Sequence, residues 1–208
     1  MNAWLDGNVP EYRRRLDTEA IVALRSEVIG DRPELGHDVS GLREEVLYRG
    51  MRRCGLSDDH ARAQAQQAFQ TFLSARQEVT FFEHALESLT LLAASYPLAA
   101  LTNGNADVSR IGLDRFFSFA LSSADVAASK PAPDIFHAAL ERAGVTPEES
   151  IHVGDHLVDD VHGAGNVGMH TIWLKQPAQA PEAAATPPNE VIEHLRELPD
   201  AVARIHGR

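Results

Sequence analysis

The stretch IHVGDHLVDDVHGAGNVGM, residues 151–169, passes from a short apolar run into a Gly-Asp corner and then into further acids and glycines. Asp155, Asp159 and Asp160 therefore follow a segment that the pattern predicts to be a buried strand, where unpaired charge is costly. Carboxylates at such a place are explained either by a bound hard cation such as magnesium or by capping of the next helix. This stretch alone slightly favours capping.

Composition limits the classes of function that the chain can have. Its 208 residues suit one domain of ordinary size, or a core with a smaller insert. With 30 acidic against 19 basic residues the formal charge is −11, which argues against a nucleic-acid partner. No apolar stretch is long enough to span a bilayer, and the N-terminus lacks the apolar region of a secretion signal. The single cysteine, Cys54, cannot form an internal disulfide, so a cytoplasmic location is expected.

The chain divides at about residue 80. Residues 1–79 carry only helical signals, including the periodic run YRRRLDTEAIVALRSEVI over 12–29. Ser40 and Ser57 stand where helix N-caps belong, each before a long helical pattern. These observations predict an all-α domain over residues 1–79.

Residues 80–175 alternate between helical and strand patterns. The predicted strands are PLAALT (97–102), FSFALSS (117–123), SIHVG (150–154) and HTIWLK (170–175), with helices such as PDIFHAALERAG (133–144) between them. This alternation predicts an α/β fold with a Rossmann-like parallel sheet, in which ligands bind beyond the carboxyl ends of the strands. Residues 176–208 are expected to form a Pro- and Ala-rich connector, over 176–189, and then one or two short helices.

Two of the strand ends carry groups suited to binding phosphate. Thr102 and Asn103 end the first strand, where a hydroxyl and main-chain N–H groups can hold a phosphate oxygen, although Thr-Asn-Gly is also common turn chemistry. Lys130 stands directly before Pro131, which disfavours helical geometry at the lysine and keeps it in the loop ahead of the next helix. A compact positive charge in that position can meet a phosphate, although most lysines are merely solvated.

The third strand end supplies the acids of the opening stretch, Asp155 and Asp160. A hydroxyl, an ammonium and a pair of carboxylates are thus expected in one crevice, because the carboxyl ends of parallel strands lie at the same edge of a sheet. The three groups together are stronger evidence for a shared binding site than any one of them alone. It favours metal and phosphate binding over simple helix capping at Asp155.

The ordered set LTNGNAD (101–107), SKPAPDIFHAAL (129–140) and IHVGDHLVDDVHGAGNVGM resembles motifs two, three and four of the haloacid dehalogenase-like hydrolase superfamily. The helical segment before it resembles that family's helical cap. The chain looks most similar to bacterial phosphatases of small metabolites, including flavin mononucleotide. The resemblance implies a Mg²⁺-dependent phosphatase that acts on a small phosphorylated metabolite through an aspartyl-phosphate; the oligomeric state is left open.

The resemblance also implies roles for individual residues. Thr102 would bind the transferring phosphoryl group with help from Asn103, and Lys130 would neutralise the phosphate and the nucleophile. Asp155 would be the principal Mg²⁺ ligand and Asp160 the second acid, acting through water. Asp159 falls one residue short of the family spacing and is left out of the metal shell.

Cap residues are candidates for selecting the substrate. Arg43, Tyr48 and His37 could face the pocket, and Arg43 is preferred because its guanidinium could grip a second anionic or polar group. The alternative is that Arg43 is an ordinary solvated or ion-paired surface residue.

The family's nucleophile and general acid lie in a DxDxT motif, which these 208 residues do not contain. The nearest imitation is WLDGNV, in which Asp6 is followed two residues later by Asn8, and it is better interpreted as part of a helix. We therefore expect that the chain begins some tens of residues late and lacks the family's central first strand. The absence of that strand would leave two strands with an unpaired edge each and would remove the nucleophile, so the chain could not complete the reaction.

Two other functions are compatible with the sequence. A non-catalytic module that binds a ligand or a protein would retain the cap and the fold while lacking the nucleophile. A haloacid dehalogenase on the same scaffold would need no magnesium, whereas the pair Asp155 and Asp160 favours the metal-dependent reaction.

Overall fold

The computed structural model describes residues 1–176 and 186–207. Its backbone forms two compact units, a helical unit of residues 1–79 and 104–107 and an α/β unit of residues 80–103 and 108–208. The predicted connector over 176–189 falls largely on residues 177–185, which lie outside the described residues. Among the described residues, none of the helices combines the length and the apolar character needed to cross a bilayer.

The helical unit is all-α, as the sequence predicts. Its helices are α1 (Asn2–Asn8), α2 (Pro10–Arg15), α3 (Thr18–Asp31), α4 (Val39–Arg53) and α5 (Asp58–Gln77). Buried apolar residues of these helices form two clusters, one centred on Met51 and Phe69 and the other on Leu24 and Leu42. Burial of these side chains is the main term that holds the helices together.

The N-cap predicted at Ser40 is wrong. Helix α4 already begins at Val39, and its cap is Asp38, whose carboxylate accepts the N–H groups of Ser40 at 3.0 Å and Gly41 at 2.9 Å. Asp and Ser are equally good caps, and the carboxylate two residues earlier reaches both free N–H groups. Ser57 does precede α5, but its side chain makes no capping hydrogen bond.

The α/β unit alternates helices and strands, which confirms the predicted Rossmann-like class. Its elements are α6 (Ala85–Ala93), β1 (Ala99–Thr102), β2 (Phe119–Ser122), α7 (Ser123–Val126), α8 (Asp134–Ala143), β3 (Ile151–Gly154), α9 (Gly163–Asn166), β4 (His170–Leu174), β5 (Glu190–Ile192) and α10 (Leu198–His206). A π-helical turn, Leu157–His162, joins β3 to α9. Residues 190–192 differ from expectation, because they form a strand where helix was predicted.

All strand pairs are parallel, and they form two separate sheets. Strand β1 pairs with β2, while β3, β4 and β5 pair in that order. Within the described residues, β1 and β3 thus have one hydrogen-bonded neighbour each. The Leu98 carbonyl accepts the Ser118 N–H, so the Leu101 carbonyl, three residues on, points to the opposite, unpaired edge of β1. The sequence predicts two strands with an unpaired edge beside a missing central strand; the described strands form two sheets, in which β2 and β5 also have a single neighbour each.

Helix α8 packs its apolar side chains against β2 and α9. Ile135 and Phe136 are fully buried and pack with Leu121 of β2 and Ala164 of α9. The Phe136 ring also meets the ring of His152, on β3, edge to face with centroids 5.2 Å apart. Phe136 therefore links the core of the unit to a polar residue beside the candidate site.

We expect Phe136→Ala to lower the free energy of unfolding by about 3–5 kcal/mol, because truncation of a buried aromatic ring loses its burial and leaves a cavity. Urea denaturation followed by circular dichroism measures the change. Phe82→Ala is the matched control, because this phenylalanine is 68% exposed and its loss should cost little. Equal losses in the two variants would contradict the packing described here.

Candidate active site

Lys130 connects the two sheets. Its side chain is only 10% exposed, and its ammonium donates to Asp160 Oδ1 at 2.6 Å and to the Leu101 carbonyl at 3.3 Å. The first contact reaches the turn after β3, and the second reaches the unpaired edge of β1. The structure thus brings together the lysine and one acid of the opening stretch, at the carboxyl ends of the strands.

Asn103 fixes the main chain at Lys130. Its side-chain Oδ1 accepts the Lys130 N–H at 2.8 Å, and its Nδ2 donates to the Lys130 carbonyl at 2.9 Å. Both ends of the amide are therefore used in holding the lysine loop. The sequence predicts that Asn103 assists phosphate binding, which stays a prediction; the structure shows Asn103 positioning the main chain of Lys130.

Asp160 is buried and receives hydrogen bonds on both oxygens. Oδ1 lies 3.1 Å from His152 Nε2 as well as accepting from Lys130, and Oδ2 accepts the His156 N–H at 3.0 Å. Burial raises the pKa of this carboxyl, but the hydrogen bond from His152 and the charge of Lys130 outweigh it and hold the pKa well below the usual range. Asp160 is therefore an ionised anchor for Lys130.

His152 is a site residue that the sequence reasoning missed. It is the second residue of β3, it is buried, and it lies between the Phe136 ring and the Asp160 carboxylate. The available signal was a polar residue in an otherwise apolar strand, since such a residue needs a buried hydrogen-bond partner.

Gly154 makes room for Asp160. A Cβ on this residue would lie 2.2–2.3 Å from the carboxyl group and Cβ of Asp160, closer than real contacts allow. Only glycine at the end of β3 permits the carboxylate to lie against the strand. The glycine of the Gly-Asp corner is thus explained by packing against Asp160, which lies five residues after Asp155.

The turn after β3 is not capped by Asp155. Its cap is His156, whose Nδ1 accepts the Asp159 N–H at 3.0 Å. Asp155 is exposed, its main-chain carbonyl accepts the Trp173 indole N–H, and its carboxylate makes no hydrogen bond to any described residue. The capping explanation for Asp155 therefore fails in this structure, and its carboxylate remains available to a ligand.

The acids fit a water-rich metal site better than a complete protein cage. Within residues 1–176 and 186–207, no group of three His, Cys, Asp or Glu side chains is arranged to hold a metal ion. The oxygens of Asp160 are engaged by three donors, whereas among the described residues the Asp155 carboxylate accepts no hydrogen bond and the Asp159 carboxylate has a long contact, 3.5 Å, with Asn103 Nδ2. Mg²⁺ keeps several waters and commonly uses one or two protein carboxylates, so the donor set is compatible with it.

Thr102 and Arg43 lie in different units. Thr102 is the last residue of β1, directly after Leu101, and is partly buried. Arg43 lies on α4, with its guanidinium carbon 3.9 Å from the centre of the Phe72 ring. The structure thus places Thr102, Asn103, Lys130 and Asp160 in the α/β unit, and Arg43 in the helical unit.

Comparison with known proteins identifies the family. A family model described as "Haloacid dehalogenase-like hydrolase" matches residues 38–174. The 5-amino-6-(5-phospho-D-ribitylamino)uracil phosphatase YigB of Escherichia coli is 35% identical over 162 residues, covering 78% of this chain and 68% of that protein. The phosphoserine phosphatase of Thermus thermophilus is 32% identical over 162 residues, covering 75% of this chain and 63% of that protein.

Comparison with a solved structure supports the same family. A crystal structure of a 2-haloacid dehalogenase from Pseudomonas syringae pv. tomato superposes with a TM-score of 0.91 and 36% identity. The match covers 98% of this chain and 87% of that one. Together with the family model, this similarity confirms the resemblance that the three motifs indicate.

We expect Asp160→Ala to lower the free energy of unfolding at neutral pH by about 3–5 kcal/mol, because it leaves the buried Lys130 ammonium without its carboxylate. Glu193→Ala is the control, because it breaks an exposed ion pair with Lys175 whose side chains are 46% and 65% exposed. That loss should be at most about 1 kcal/mol. Chemical denaturation measures both, and a small loss at Asp160 would contradict a buried, anchoring carboxylate.

The loss at Asp160 should also depend on pH. Because its pKa is lowered in the folded protein, the ionised carboxylate contributes stability above its unfolded pKa of about 4, and this contribution is lost as the pH falls below that value. The difference in unfolding free energy between wild type and Asp160→Ala should therefore shrink on acidification. A difference that stays constant from neutral pH to below pH ~4 would contradict the ion pair.

Proposed function

Because the chain belongs to the haloacid dehalogenase-like hydrolase family, we propose that it forms the phosphate- and metal-binding part of a Mg²⁺-dependent phosphatase of small phosphorylated metabolites. The observation that carries the proposal is the position of Lys130. Its ammonium stands at the carboxyl ends of the strands, held by Asp160 and by the Leu101 carbonyl. A lysine ammonium has three N–H donors, so one is left for a phosphate oxygen.

The other residues have roles around this charge. Thr102 would donate its hydroxyl to the phosphoryl group, Asn103 holds the lysine loop, and Asp160 holds the ammonium. Asp155 would ligate Mg²⁺, which when bound neutralises negative charge on the phosphoryl oxygens. Positive charge fixed in advance at a partly dry site favours the transition state of phosphoryl transfer, because little reorganisation is needed during the reaction.

The covalent step needs an aspartate nucleophile that the motifs of this chain do not supply. In the reaction that we propose for the complete enzyme, an aspartate carboxylate attacks phosphorus, the ester oxygen leaves with a proton, and water then cleaves the aspartyl-phosphate. The 208 residues contain no DxDxT motif. We therefore propose that the chain as given binds phosphate esters without turning them over, as a non-catalytic binding module also would.

Small anionic metabolites suit the composition and the relatives. By name, two relatives act on phosphate esters of small metabolites, and the charge of −11 disfavours nucleic acid. We propose a cytoplasmic location because the chain has a single cysteine, Cys54. We also propose that Arg43 of the helical unit selects among substrates. The second candidate activity is carbon–halogen hydrolysis, because the superposed Pseudomonas structure is that of a 2-haloacid dehalogenase.

We expect Lys130→Ala to weaken binding of inorganic phosphate by about tenfold or more, the usual effect of losing a hydrogen bond to a charged group. Thr102→Val should weaken it less, because only a neutral donor is lost. Isothermal titration calorimetry measures both affinities.

Lys175→Ala is the matched control, because this lysine is exposed and pairs with Glu193. Thermal unfolding of each variant confirms that it is folded, and Lys130→Arg, which keeps the charge, should bind better than Lys130→Ala. Equal losses at Lys130 and Lys175 would show non-specific electrostatics and would overturn the site.

Activity assays separate the two candidate reactions. We expect no turnover of p-nitrophenyl phosphate or 2-chloropropionate by the 208-residue chain, and Mg²⁺-dependent turnover of the phosphate ester by a form preceded by a DxDxT strand. In that form Asp155→Asn should abolish activity by removing the direct metal ligand, and Asp159→Asn should have the smallest effect. Chloride release without added Mg²⁺ would instead support the dehalogenase.

A further inference from the structure

The peptide group between Asp155 and His156 is held at both of its polar atoms. Its carbonyl accepts the indole N–H of Trp173 at 3.0 Å, and its N–H donates to Asp160 Oδ2 at 3.0 Å. Because the carbonyl and the N–H belong to one planar group, the two hydrogen bonds together fix the orientation of that plane. The peptide that follows Asp155 is therefore set by β4 and by the turn after β3.

Trp173 is placed for this contact by the pairing of β3 with β4. It lies opposite Gly154, the last residue of β3, in the parallel register. Asp155 is the next residue, one position beyond the strand. An indole has one donor and no acceptor, so the whole hydrogen-bonding capacity of this side chain goes to the Asp155 carbonyl.

A fixed peptide plane limits the direction of the Asp155 side chain. The plane determines the dihedral angle ψ of Asp155, and on the other side Gly154 belongs to the β3 ladder. The Asp155 carboxylate makes no hydrogen bond to any described residue. The main chain therefore determines where this carboxylate can reach, and Trp173 is one of the two groups that hold the main chain there.

The same peptide also connects Trp173 to the buried ion pair. The His156 N–H is one of three donors to Asp160, and Asp160 in turn holds the Lys130 ammonium at 2.6 Å. Hydrogen bonds that follow one another through a peptide group polarise and strengthen each other. A donor on the Asp155 carbonyl therefore favours the hydrogen bond from the His156 N–H to Asp160.

We propose that Trp173 is a positioning residue of the candidate active site, because its indole N–H holds the peptide that directs the Asp155 carboxylate and donates to Asp160. Within the proposal Trp173 contacts neither metal nor phosphate and acts through Asp155 and Asp160. The inference rests on the proposed function, in which Asp155 ligates Mg²⁺. It assigns a role in that site to a residue of β4, the strand beside β3.

Hydrogen exchange of the wild-type chain gives the first test. The protein has two tryptophans, and the indole N–H of Trp4, in the helical unit, makes no hydrogen bond to any described residue. In ¹H–¹⁵N NMR spectra the Trp173 indole N–H should exchange with solvent more slowly than that of Trp4. Equal exchange rates of the two indoles would overturn the proposal without any variant.

Trp173→Phe gives the second test, because it keeps an aromatic ring and removes the donor. We expect the His156 amide to exchange faster in this variant, while the amides of the β3–β4 ladder keep their wild-type rates. Trp4→Phe, the matched control, makes the same chemical change in the helical unit and should leave the His156 amide unchanged. Faster exchange throughout β3 and β4 would indicate a packing role and would overturn the proposal.

Titration with Mg²⁺ alone, followed by the same NMR spectra, tests the consequence for the site. Trp173→Phe should weaken Mg²⁺ binding by about threefold to tenfold, the usual effect of losing one neutral hydrogen bond. Trp4→Phe should bind Mg²⁺ as wild type does, and Asp155→Asn should not bind it. Asp155→Asn keeps the main-chain carbonyl, so its Trp173 indole should stay protected from exchange.

The outcomes separate this inference from the proposed function. If Mg²⁺ binds in an Asp155-dependent way and Trp173→Phe changes neither its affinity nor the exchange of the His156 amide, the role of Trp173 is wrong and the metal site stands. If the wild-type chain does not bind Mg²⁺ at millimolar concentration, or binds it equally in Asp155→Asn, the proposed metal ligand is wrong. The exchange rates then decide by themselves whether Trp173 holds the peptide.

Discussion

The buried ion pair between Lys130 and Asp160 is the interaction on which the α/β unit's candidate site depends. Burying two charges costs desolvation energy that their attraction repays only when the remaining donors and acceptors are also satisfied. Here the Leu101 carbonyl, His152 and the His156 N–H complete those bonds. The pair is therefore better understood as a device that fixes a positive charge at the carboxyl ends of the strands than as a source of stability.

The ion pair also explains why one chain segment carries so much of the site. Gly154, His156 and Asp160 all lie within seven residues, and each helps to place the Asp160 carboxylate against β3: the glycine leaves space, and the histidine N–H donates a hydrogen bond. Asn103 performs the equivalent task for the lysine from the other sheet. A change at Gly154 or Asn103 should therefore disturb the ammonium even though it removes no charge.

The sequence predicts the parts of this arrangement that depend on local chemistry. Pro131 keeps Lys130 in a loop, helix and strand periodicities reveal the α/β alternation, and the spacing of the three motifs indicates the family. It does not predict His152 as the partner of Asp160 or Asn103 as the clamp on Lys130, because such pairs depend on which strands lie side by side. The strand over residues 190–192 was missed because three residues are too few to show a period.

A chain with a charge of −11 repels anionic metabolites at long range, but salt screens that repulsion over about 8–10 Å. Binding of an anion would therefore depend on local positive groups that keep a hydrogen-bond donor for it. Most of the helical unit's arginines are paired with acids, whereas Lys130 keeps a donor beyond its two acceptors. The Lys130 ammonium is thus held in place by its carboxylate and still has one N–H group to offer to an anion.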